Sequence, residues 1–163
     1  MTRAFAVIRT LIVGPLFVWL WTWLIPRWIG IPLHVVHPEA WLVVAIGGAL
    51  AFWCAFAFAI RGLGTPAPFD PPRRLVVAGL YRFVRNPMYV GMGILLIGEA
   101  WLVARVEIIY ETLIALALVS VFILVYEEPT LREKFGDDYR DYCRNVRRWI
   151  PRLTPWYSRP HLE

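Results

Sequence analysis

The chain has 163 residues, is 59% hydrophobic and 15% aromatic, and carries a formal charge of +5; its mean hydropathy is +0.55. A soluble domain holds roughly 45–50% apolar residues, so an excess gathered into long runs excludes an ordinary soluble core. The basic residues sit between those runs, which points to membrane topology and anionic lipid and away from nucleic acid; the two cysteines, Cys54 and Cys143, build neither a disulfide framework nor a metal site.

The first apolar run covers residues 4–26 and holds Trp19, Trp21 and Trp23 near its far end. About 20 apolar residues cross a bilayer, and tryptophan suits the interface because an apolar ring carries one N–H donor. The run lacks the small-x-small site of a cleaved signal peptide. A second run covers residues 40–60 and is closed by Arg61. The third and fourth, residues 88–104 and 108–126, are joined only through Arg105-Val106-Glu107, short enough to demand a tight helical hairpin. The expectation is one all-α integral membrane domain over residues 1–163, with about four transmembrane helices.

Four spans put both termini on one side. Of the 17 lysines and arginines, Arg27 and Arg105 fall on the other side, and the remaining fifteen fall with the termini. Cytoplasmic loops carry the basic excess, so both termini are expected in the cytoplasm.

Two polar segments then face the cytoplasm, residues 62–86 and 127–151. The first opens on Thr65-Pro-Ala-Pro-Phe-Asp-Pro-Pro72, where proline forbids a regular helix. It continues through Arg73-Arg-Leu-Val-Val-Ala-Gly-Leu-Tyr-Arg-Phe-Val-Arg-Asn-Pro-Met-Tyr-Val-Gly91, which leads into the third span. Pro87 suits the first turn of that helix, and Asn86 is expected to cap it. The second segment begins with Glu127, Glu128 and Pro129, and a kink or a fresh helix start is expected at the proline. Beyond it, Leu131, Phe135, Tyr139, Tyr142, Val146 and Trp149 recur at helical spacing, opposite Arg132, Glu133, Asp137, Asp138, Arg140, Asp141 and Arg144. An amphipathic helix results, lying on the membrane surface or closing over the hairpin.

Arg85-Asn-Pro-Met-Tyr89 with Gly91, then Glu127-Glu128, then Phe135-Gly-Asp-Asp-Tyr-Arg-Asp-Tyr142, and finally Arg148-Trp-Ile-Pro151 resemble the pattern of the integral-membrane S-adenosylmethionine methyltransferases. That superfamily includes the isoprenylcysteine carboxyl methyltransferases and the phospholipid methyltransferases. The resemblance covers roughly residues 73–151. It implies an S-adenosylmethionine site at the cytoplasmic end of the last two spans and a lipophilic methyl acceptor arriving from the bilayer. The positions it implies for cofactor binding are Arg73, Arg74, Leu75, Val76, Tyr81, Asn86, Pro87, Met88, Tyr89, Glu127 and Glu128. Their chemistry suits the ligand: carboxylates accept from ribose hydroxyls, aromatic rings favour a sulfonium cation, and arginine or helix N-terminal amides hold a carboxylate. No residue is singled out as catalytic and no metal is implied.

The chain departs from the pattern twice. Asn86 stands where the family has histidine, and asparagine cannot carry a proton near neutral pH. Ile123 stands where the isoprenylcysteine enzymes have an arginine one turn before the cofactor glutamate, which weighs against a prenylcysteine acceptor. Two other readings of the chain are an NADPH-dependent membrane reductase with a similar pocket and a non-catalytic helical scaffold. Gly91, Gly93 and Gly98 follow no strand, so they read as close helix packing and not as a dinucleotide motif. Glu99 and Glu111 lie equally far from Arg105 along the hairpin, which predicts similar depth and a structural pairing or a substrate contact.

Overall fold

Apolar runs of 17 to 22 residues, punctuated by proline and paired glycines, favour helices that pack through small residues and turn their larger side chains outward. A computed structural model describes residues 20–62 and 74–157, and every regular element among them is helical. Among the described residues four long helices carry the architecture: α1 (Trp41–Gly62), α2 (Pro87–Val103), α3 (Val106–Phe122) and α4 (Glu128–Asn145). Short helical turns occupy Leu20–Leu24, Ile25–Trp28, Pro38–Ala40 and Gly79–Arg82. The first apolar run lies mostly outside the described residues, as do Arg73 and the proline-rich stretch before it.

Among the described residues, two helices are long and apolar enough to cross a membrane, Pro38–Phe58 and the apolar part of the continuous helix Val106–Asn145; Pro87–Val103 is apolar but shorter. Their surfaces are inverted relative to a soluble bundle. Trp41, Leu42, Ile46 and Trp53 on α1 are exposed, as are Ile109, Leu113, Ile114, Leu118 and Val121 on α3. A continuous apolar exterior of this kind needs a covering phase.

Helix α2 sits between α1 and α3. A side chain at Gly91 would lie 2.6 Å from the Ala51 amide nitrogen, and one at Gly98 would lie 2.9 Å from that of Val44. These two glycines therefore let α1 and α2 approach backbone to backbone, while Gly93 faces Leu116 of α3. At the far end, Ala104 adopts a left-handed conformation (φ 52°) and Arg105 is extended, so two residues reverse the chain between α2 and α3. The preceding loop folds over this corner, where the backbone amides of Val36 and His37 donate to the Leu102 carbonyl at 2.9 and 3.1 Å.

The sequence predicts a kink or a fresh helix start at Pro129, and α4 does start there, with Pro129 in its first turn. The helix is nonetheless continuous with α3, through a π turn over Ile123–Glu127 immediately before α4. A proline lacks the N–H for its own turn and crowds the carbonyl four residues back. Widening that turn to π spacing accommodates both defects without stopping the helix. The real interruption comes at Gly136, whose φ of 51° and ψ of −123° only glycine adopts easily. The predicted apolar face reads through this point: Leu131, Phe135, Tyr139, Tyr142 and Val146 share one cluster with Leu75, Val77 and Trp156. The face thus closes on the chain itself and not on the membrane surface. Trp149 does not belong to it: beyond Val146 the chain leaves the helical register, and Trp149 is exposed.

Candidate functional site

The hairpin brings the start of α2 beside the end of α3. There the Tyr89 hydroxyl donates to Glu127 Oε2 at 2.8 Å. Asn86 occupies the N-cap position of α2, but its side chain makes no capping bond. Its Nδ2 is instead buried without a hydrogen-bond partner. Asn86 and Tyr89 are three residues apart and so share one face of the first turn. Tyr89 and Glu127 thus form a polar mouth with carboxylate acceptor capacity still available, one helical turn from a free amide donor.

Glu128, the next residue, has a different environment. Its side chain is 6% exposed and it receives three arginines. Arg148 binds it bidentately, Nε to Oε1 at 2.8 Å and a terminal nitrogen to Oε2 at 2.9 Å. Arg85, itself 10% exposed, reaches Oε1 at 3.0 Å, and Arg132 reaches Oε2 at 3.5 Å. A carboxylate has about four lone-pair sites, and these contacts take them up. The hydrogen bond to Glu128 raises the pKa of Arg148 above its ordinary value, against an opposing effect of burial. Arg85 also donates to Cys143 Sγ at 2.6 Å.

Behind this cluster the C-terminal strap, residues 146–157, pairs with the segment leading into α2. The Arg85 amide donates to the Arg147 carbonyl at 2.9 Å, the Arg152 amide to Phe83 at 2.8 Å, and the Trp156 amide to Arg82 at 3.0 Å. The Arg152 guanidinium donates to the Asn145 carbonyl, and that of Arg82 lies 4.4 Å over the Tyr157 ring. The Tyr142 hydroxyl donates to the Tyr81 carbonyl at 2.6 Å. Burial pushes the Tyr142 and Tyr139 hydroxyls well above the usual phenol range, so they remain protonated donors.

The positions named from the sequence therefore separate. Tyr89 and Glu127 meet at the mouth, and Asn86 lies one helical turn before Tyr89. Val76 and Tyr81 are core, packed with Cys54 and Met88. Leu75 packs on the tyrosine cluster, Pro87 is buried as the first residue of α2, and Arg74 is exposed. Arg73 is outside the described residues. Arg85 and Arg148 stood within the quoted motifs without an assigned role, and Cys143 and Tyr142 carried no signal beyond their spacing. Ile123, where an arginine would mark the isoprenylcysteine enzymes, is completely buried at the start of the π turn.

At the other end of the hairpin, Thr22 hydrogen-bonds Glu99, and Glu111 is its electrostatic neighbour. Glu111 Oε1 is buried without a hydrogen-bond partner. The two carboxylates are thus neighbours, remote from the mouth.

Residues 35–138 match the family model described as Phospholipid methyltransferase. The chain belongs to that family. The match contains the whole mouth and Glu128, and it ends before Tyr139, Arg148 and the strap. No curated protein and no solved structure matches the chain. Membership makes this a membrane-associated methyltransferase-family protein, in keeping with its apolar exterior.

Proposed function

We propose that the protein transfers a methyl group from S-adenosylmethionine to a lipophilic acceptor at the cytoplasmic face of the membrane. On this reading residues 1–163 form one membrane domain of four spans, with both termini cytoplasmic, supported by the fifteen-to-two split of basic residues. The observation that carries the reading is the mouth itself: Glu127 held by Tyr89, one helical turn from the buried, unpartnered amide of Asn86. An orphaned buried amide costs roughly 1–3 kcal/mol, so a ligand that accepts its hydrogen bond recovers that cost.

The residues present suit the cofactor. Glu127 would accept from the ribose hydroxyls, the Asn86 amide would donate to the ligand, and the Tyr89 ring would flank it. When bound, S-adenosylmethionine supplies an electrophilic methyl on a sulfonium. The protein then has to align the acceptor behind the S–CH3 bond and exclude water. Glu128 is assigned here to holding Arg85 and Arg148, because its oxygens are already taken.

Isothermal titration of the purified protein with S-adenosylhomocysteine tests the assignment. Binding is expected from the parent, weakened by Glu127→Gln, with no response to NADPH. Binding of NADPH without any response to S-adenosylhomocysteine would replace this reading with the reductase.

A further inference from the structure

The strap has a side that the site does not use. Its inward residues, Arg148, Arg152 and Trp156, are half-buried against Glu128, Phe83 and Arg82. Its outward residues are large and apolar: Trp149 is 38% exposed, Ile150 and Tyr157 are each 61% exposed, and Leu153 is completely exposed. No acidic residue occurs from 144 to 157, while Arg144 and Arg147 are exposed. Pro151 and Pro155 remove two backbone donors from the same short stretch.

The height of the strap is fixed by its partners. It is hydrogen-bonded to Arg82, Phe83 and Arg85, and α2 begins two residues after Arg85. Arg148 binds Glu128, where the apolar run of α3 gives way to α4. The exposed aromatic and aliphatic side chains therefore stand level with the boundary between the apolar and polar parts of the helices.

We propose that residues 149–157 form an interfacial foot that beds into the leaflet on the side of the mouth, with anionic phospholipid as its occupant. Apolar side chains of such an element enter the headgroup and upper acyl region by roughly 5–10 Å. Arg144 and Arg147 meet lipid phosphate, and the acid-free stretch gives anionic lipid an advantage over neutral lipid. The foot would seat the mouth at the level of lipid headgroups, a feature of this chain outside the segment that matches the family.

The test reads position and does not depend on methyl transfer. Leu153→Cys carries an NBD label in nanodiscs holding one copy, with Glu133→Cys, on the exposed face of α4, as the comparison. The parent serves as the labelling blank, since Cys54 is buried and Cys143 half-buried. In discs of phosphatidylcholine and phosphatidylglycerol, a shallow nitroxide lipid should quench the label at position 153 roughly threefold more than at position 133, and aqueous iodide should show the reverse order. Equal behaviour at the two positions overturns the proposal. Protection of position 153 that appears only in discs holding two copies assigns the surface to chain–chain contact and also overturns it. Equal nitroxide quenching in pure phosphatidylcholine overturns the choice of anionic lipid.

Discussion

Glu127 and Glu128 are consecutive, yet they belong to two regions with opposite chemistry. Glu128 faces a wall in which Arg85, Arg132 and Arg148 take up both carboxylate oxygens. Glu127 faces a mouth in which Tyr89 occupies one oxygen and an amide one helical turn away has no partner at all. Consecutive residues on a helix point in different directions, so the junction between the π turn and α4 serves as a divider. A carboxylate surrounded by donors holds a structure together, whereas one with spare capacity near an orphaned donor is available to a ligand.

The strongest way to break this contrast is Glu128→Ala. It leaves Arg85 and Arg148 without their shared anion in a place that is 10% and 27% exposed. Removing one partner of a buried pair costs roughly 3–5 kcal/mol. A large fall in thermal stability in detergent is expected, and an unchanged melting curve would show that the wall is not structural.

Glu127→Gln should have the complementary effect. It replaces a charged acceptor with a neutral one of the same shape, and a hydrogen bond to a charged group contributes roughly 1.5–3 kcal/mol. Affinity for S-adenosylhomocysteine should drop by about one to two orders of magnitude, while the melting curve stays close to the parent. If the melting curve falls with the affinity, the two glutamates share one role and the division is wrong.

Tyr89→Phe sharpens the contrast further. It deletes the donor to Glu127 Oε2 and leaves the ring. A hydrogen bond to a charged group contributes roughly 1.5–3 kcal/mol, but this one holds Glu127 and not the ligand, so only part of it reaches affinity and a loss of about threefold to tenfold is expected by titration. The smallest effect should come from Arg132→Ala. Arg132 is 59% exposed and 3.5 Å from Glu128, and such partly exposed pairs contribute about 0–1 kcal/mol. A stability loss as large as that of Glu128→Ala would mean that the outer arginine, and not the buried pair, anchors the wall.

Much of this arrangement was legible in the sequence. The hairpin followed from the apolar runs and the short Arg105 connection, and the motif spacing pointed to Asn86, Tyr89 and the glutamate pair. The separation of Glu127 from Glu128 was not legible, because it depends on which distant side chains the fold sets opposite each, Tyr89 of α2 for one and Arg148 of the strap for the other. Asn86 looked like a cap by residue type, but its amide lies buried and unbonded. Periodicity carried the apolar face through Gly136, where the backbone turns left-handed, and wrongly added Trp149. The pairing of residues 147–156 with residues 82–85 joins stretches far apart in sequence through backbone groups, which side-chain patterns do not encode.

The unequal lengths of the helices have a consequence for the bilayer itself. At 1.5 Å per residue, the 22 residues of α1 reach about 33 Å and the 17 of α2 only about 25 Å, against a hydrocarbon thickness of roughly 30 Å. Under the proposed topology no single flat membrane fits both. A long span can tilt, but a short one draws the leaflets together around it, at a cost of fractions of a kcal/mol per ångström. Such a pinch would surround α2, whose first turn carries Tyr89. Lipids with shorter chains would relieve the mismatch, so membrane thickness becomes a variable that tunes how readily headgroups meet the mouth.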